Sequence, residues 1–107
     1  MIQIYAALAA AIAIAAGAFG AHGAQGAAAD WLKTGSFYLL VHAVAVIALG
    51  KDQPNPASVL LGGAVIFAAT LYAMALGAPR WLGAITPIGG LAMIFGWLWL
   101  AWRLWRS

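Results

Sequence analysis

The stretch Ala48-Leu49-Gly50-Lys51-Asp52-Gln53-Pro54-Asn55-Pro56-Ala57 decides the fold. Between Lys51 and Pro56 it concentrates two charges, two amides and two prolines, the composition of a short hairpin turn. Uncharged apolar runs flank it on both sides, from about Thr34 to Gly50 and from about Ala57 to Gly77. Each approaches the roughly 20 residues needed to cross about 30 Å of hydrocarbon. Further along, Gly77-Ala78-Pro79-Arg80 forms a second tight turn. A run from about Ala84 to Trp102 follows, with Pro87 in its first turn, where the missing N–H of proline does no harm. Towards the N-terminus, Asp30 is expected as the N-cap of the helix that contains Thr34. A first, alanine-rich run extends from about Ile4 to Ala21 and ends among glycines. No Lys or Arg precedes that run, so it reads as a retained helix rather than a signal peptide.

Composition agrees with four crossings. Of 107 residues, 66% are hydrophobic and 7% charged, against roughly 25% charged in a soluble globule. The expected fold is an all-α integral membrane bundle of four antiparallel helices in a single domain, residues 1–107, with both termini on one side. Call that side face A. It carries Lys51, Arg103 and Arg106, whereas the opposite face B carries Lys33 and Arg80, so the excess of basic residues favours face A as cytoplasmic. Aromatic residues mark the same boundaries: Trp31 and Trp81 at face B, Tyr5, Trp102 and Trp105 at face A. From Trp81 to Trp102 is about 31 Å of helix, a full crossing. Small-residue rows, Ala9-Ala13-Gly17-Ala21 and Ala69-Ala73-Gly77, are expected to bring helices into close contact.

The formal charge of +3 comes from basic residues that stand singly along the chain and make no patch for a phosphate backbone, so nucleic acid is excluded as a partner. With no cysteine there is no thiol chemistry, iron–sulfur cluster or thiolate zinc site. Asp30 and Asp52 both lie in connections, which leaves no intramembrane carboxylate for a catalytic triad or a carboxylate pair. The two histidines differ in depth by about 10 Å, too much for one haem iron. No enzyme activity, metal or cofactor is expected.

The remaining polar residues are few. Thr34, Tyr38 and His42 recur every fourth residue and share one helix face. His42 is about 12 Å from Gly50, near the midplane. Tyr72, Thr70 and Thr86 fall in the face B half of their helices, and His22 ends the first helix at face B. Tyr38 is the natural partner of His42. Because Thr70 and Tyr72 are two residues apart, only one of them can join a cluster with His42. Below His42, Ala43 to Gly50 carries no polar side chain, and from Gly89 to Trp102 the fourth helix offers no hydrogen-bonding side chain except tryptophan. The expected site is therefore a one-sided polar cleft, open towards face B and formed by His22, Tyr38, His42, Tyr72 and Thr86.

Four blocks of the chain resemble a known family: Gly17-Ala-Phe-Gly-Ala-His-Gly23, Tyr38-x-x-x-His42-Ala43, Phe67-Ala-Ala-Thr-Leu-Tyr72 with Ala75-Leu76-Gly77, and Leu82-Gly-Ala-Ile-Thr-Pro-Ile-Gly-Gly90 with Gly96-Trp97. They are similar, in order, to the domain-of-unknown-function 423 family, the YgdD-like small membrane proteins, and to the eukaryotic transmembrane protein 256 group. The resemblance implies a four-helix protein of the bacterial inner membrane without an established activity. Its motif positions fall on His22, Tyr38, His42, Tyr72, Thr86 and Pro87. The chain departs from the pattern at Leu39, where the family commonly has a polar residue, at Ala68-Ala69-Thr70, where it usually has Ser-Gly-Ser, and in a shorter, less charged first connection.

Two functions compete. One is a binding or accessory protein whose cleft holds a small ligand or lipid head group, with membrane lipid, a second copy of the chain or a larger membrane protein as partner. The other is a small-molecule or ion transporter acting as an oligomer, with His42 as its titrating group.

Overall fold

A computed structural model describes all residues, 1–107. It contains four membrane-length helices: α1 (Ile2–His22), α2 (Gly26–Leu49), α3 (Pro54–Ala75) and α4 (Thr86–Arg106), with a 3-10 turn at Arg80–Ala84 before α4. Their large apolar side chains point outwards, among them Leu8, Ile12, Phe37, Val44, Leu91 and Phe95, while the centre is built largely from alanine. This is the inverse of a soluble bundle and the arrangement expected where lipid is the solvent.

Helix boundaries follow from local chemistry and correct several expectations. α2 starts at Gly26, about two turns before Thr34, so Asp30 is a helical residue and not the N-cap. Extended Gln25 and Gly26, at φ +62°, make the entry; glycine is the residue that adopts such a backbone without strain. Charged and aromatic side chains at Asp30, Trp31 and Lys33 therefore ride on the helix at the membrane interface. α3 begins within the turn, because its prolines occupy the first helical positions. It ends at Ala75, short of Gly77, in a Schellman motif. Gly77, at φ +104°, donates its N–H to the Met74 carbonyl, and Ala78 donates to that of Ala73.

The helices form a row rather than a closed square. α3 is central, packed along α2 on one side and α4 on the other, while α1 lies against α2, grazes α3 and never meets α4. Gln3 of α1 abuts Gly50 after α2, and Gln53 before α3 meets Arg103 near the end of α4. Both termini therefore lie on the side of the Lys51 turn, which is face A.

Small residues set the spacing. On α1, Ala6, Ala9 and Ala13 are buried, Gly17 faces Ser36 and Gly20 faces Leu32. Gly20, not Ala21, thus ends the expected row. On α3 the buried row is Leu60, Ala64, Ala68 and Leu71; Ala69 and Gly77 are exposed, so the second expected row is not a packing seam. The tightest approach is between α3 and α4. A Cβ on Gly89 would lie 2.5 Å from the Phe67 backbone nitrogen and 2.6 Å from the Gly63 carbonyl oxygen.

Candidate functional site

Three side-chain hydrogen bonds tie α2, α3 and α4 together, one for each pair of helices. Ser36 Oγ and Tyr72 Oη, 2.8 Å apart, join α2 to α3. Thr70 Oγ1 and Thr86 Oγ1, 2.6 Å apart, join α3 to α4. Trp97 Nε1–H donates to His42 Nε2 over 3.0 Å and joins α4 to α2. Such bonds favour helix association because each polar group would otherwise meet hydrocarbon. No buried side-chain nitrogen or oxygen lacks a partner.

The His42–Trp97 contact fixes the chemistry of the imidazole. Indole N–H can only donate, so Nε2 must present its lone pair, and the ring proton belongs on Nδ1. Nδ1 is 2.7 Å from the Tyr38 carbonyl oxygen, which accepts that proton. Both nitrogens are therefore occupied by the protein itself. His42 is buried, and its ring meets Trp97 edge-on at 5.7 Å between centroids. Adding a proton at Nε2 would set N–H against N–H and break the link between α4 and α2.

The five residues expected to share one cleft do not form a single cluster. His42 partners Trp97, Tyr72 partners Ser36, and Thr86 partners Thr70. Tyr38 neighbours His42, but only its backbone carbonyl bonds to the imidazole; its ring packs edge-on against Phe67, 4.9 Å between centroids. His22 lies exposed in the last turn of α1, apart from the others, where a basic side chain complements the helix dipole. Thr70 and Tyr72 point to different neighbours, as their spacing requires. Sequence reasoning missed two members: Ser36, a small hydroxyl easily overlooked in an apolar run, and Trp97, one of the tryptophans set aside when the rest of its half of the bundle was read as apolar.

Because the backbones of α2 and α4 stay apart, a groove of about 330 Å³ opens between them, lined by Tyr38, His42, Phe67, Gly90, Met93, Ile94 and Trp97. It corrects the expected cleft in two respects. It opens sideways between helices, and its walls are mostly apolar. Tyr38 lines the groove, and its hydroxyl makes no hydrogen bond within the chain. A smaller groove of about 220 Å³ beside α1 is lined by Ala9, Ile12, Leu39, Val65, Ala68, Ala69 and Tyr72 and is apolar.

The family described as protein of unknown function (DUF423) matches residues 16–90. The chain belongs to this family. The matched segment holds every residue of the Ser36–Tyr72 and Thr70–Thr86 pairs and His42, but stops before Trp97. Among relatives, a UPF0382 membrane protein of Haemophilus influenzae is 35% identical over 87 residues, covering 75% of this chain and 70% of the relative. A UPF0382 membrane protein of Staphylococcus haemolyticus is 44% identical over 70 residues, covering 59% and 57%. The UPF0382 inner membrane protein YgdD of Escherichia coli is 34% identical over 75 residues, covering 63% and 57%. The chain thus spans little more than half the length of the last two. No solved structure matches. These relatives and the four membrane-length helices make the chain a multi-pass inner-membrane protein of an uncharacterised family, and none of the relatives' names carries an enzymatic activity.

Proposed function

We propose that the protein is a binding or accessory component of the bacterial inner membrane, and that its lateral groove takes an apolar membrane-dissolved molecule bearing one hydrogen-bonding group. The observation that carries this reading is the pairing of a fully engaged His42 with an adjoining groove in which Tyr38 offers a free hydroxyl. An aromatic-walled slot with one polar group suits a hydrocarbon chain with a polar kink or end. Proton-coupled transport is less well supported, because it needs His42 to exchange protons with water while both nitrogens hold helices together.

Gly90 provides the test. Nothing lies within 4 Å of a Cβ placed there, and the residue lines the groove, so a side chain at Gly90 starts in open space and Gly90→Trp fills the groove. The probe is phosphatidylcholine with a mid-chain diazirine, photolysed with the reconstituted protein and mapped by mass spectrometry. Labelling of Tyr38, Phe67 and the Gly90–Trp97 segment is expected, falling at least about fivefold in Gly90→Trp, the loss that corresponds to blocking an apolar contact of about 1 kcal/mol. Labelling unaltered by Gly90→Trp contradicts the reading. A change of oligomeric state in Gly90→Trp instead assigns the groove to a second copy of the chain, and proton-driven uptake by proteoliposomes that His42→Ala abolishes revives the transporter.

A further inference from the structure

We propose that the face A end of α3 and α4 binds one anionic phospholipid, with its phosphate on Arg103 and Arg106 and one acyl chain along an aromatic shelf of α4. The site is separate from the lateral groove. A concavity of about 300 Å³ is lined there by Gln53, Arg103, Arg106 and Ser107. Arg103 is half-buried, and its Nε–H donates to Gln53 Oε1 over 2.7 Å. That bond orients the guanidinium from the start of α3 and leaves its two terminal amino groups as donors. Arg106 lies over the Trp102 ring, 4.6 Å from the centroid, which positions a second cation beside the first. Neither guanidinium is engaged by a carboxylate, although Asp52 is next to Gln53 in sequence.

The second observation lies directly below. Phe95, Leu98, Trp99 and Trp102 form an exposed apolar hollow of about 390 Å³ on α4, ending at the ring that Arg106 covers. Polar cleft and apolar shelf therefore adjoin through Arg106, which lines the first and covers the Trp102 ring of the second, as the head group and chain of one lipid adjoin. Two forked donors lining one concavity match the oxygens of a phosphodiester, and arginine is the side chain best shaped for that task. A zwitterionic lipid brings an ammonium group to the same place and gains less. A helix-dipole role for the arginines alone would account for their charge at the end of α4. It leaves the Gln53 tether and the shelf without a purpose.

The experiment is native mass spectrometry of the full chain released from detergent micelles containing equimolar dioleoyl phosphatidylglycerol and dioleoyl phosphatidylcholine. Retention of one phosphatidylglycerol is expected, favoured about tenfold over phosphatidylcholine. Arg103→Gln and Arg106→Gln should each reduce that preference about fivefold, in line with the usual effect of one basic side chain at an anionic surface. Lys33→Gln, at the opposite face, should leave it unchanged. Trp99→Ala should lower retention of both lipids, and excess glycerol phosphate should displace neither, because the shelf holds the chain. Equal retention of the two lipids, an equal loss in Lys33→Gln, or displacement by glycerol phosphate overturns the proposal. Helical circular dichroism of each variant separates loss of the site from loss of the fold.

Discussion

Gly89→Ala is expected to lower the stability of the bundle by about 3 kcal/mol, measured by SDS-induced unfolding in mixed micelles. The added methyl has nowhere to go. Its carbon would sit 2.5 Å from one backbone atom of α3 and 2.6 Å from another, so α3 and α4 must separate. The rotation of a flexible neighbour cannot relieve the clash, since both obstructing atoms belong to the main chain. Separation also stretches the Thr70–Thr86 bond, 2.6 Å in the native packing. Gly90→Ala is the internal control: one residue further on, a methyl meets no atom within 4 Å, and a change within about 0.5 kcal/mol is expected. Equal effects at the two positions would contradict the packing of α3 on α4.

Trp97→Phe is expected to cost about 2 kcal/mol, because it keeps an aromatic ring in place but leaves His42 Nε2 without a donor in a buried site. Combined with His42→Phe in a double-mutant cycle, the two substitutions should show a coupling of about 1 kcal/mol, within the range found for hydrogen bonds between membrane helices. The cycle is read in the same unfolding experiment. Additive effects would mean that the two side chains act independently and that some other contact holds α4 to α2.

The number of helices and their order were legible in the sequence because each crossing demands a long apolar run, and the punctuation at Lys51–Pro56 and Gly77–Arg80 is hard to read otherwise. The start of α2 was harder to read. Asp30, Trp31 and Lys33 look like a connection, yet at a membrane interface charged and aromatic side chains can occupy the end of a helix without cost. The partners of the polar residues were less accessible still, since they depend on how each helix rotates about its axis. Between Pro87 and Trp102 α4 carries no polar side chain other than tryptophan, and nothing in its composition distinguishes Trp97 from Trp99 or Trp102. A signal existed in the glycines: Gly89 and Gly96, seven residues apart, define the face that α3 covers, and Trp97 follows at its edge, turned towards α2. Tyr38 and His42 do share a face, as their spacing indicates, but the sequence could not show that the hydroxyl of one stays free while the carbonyl beneath it takes the proton of the other.

The lateral groove has its present form because His42 is a clasp between helices and carries its proton on the nitrogen facing Tyr38. Nitrogen-15 NMR of histidine-labelled protein in lipid nanodiscs at neutral pH reads this directly. The expected spectrum has Nδ1 protonated, Nε2 bearing a lone pair, and an Nε2 resonance that moves in Trp97→Phe. A proton on Nε2, or an Nε2 resonance indifferent to Trp97, would contradict it.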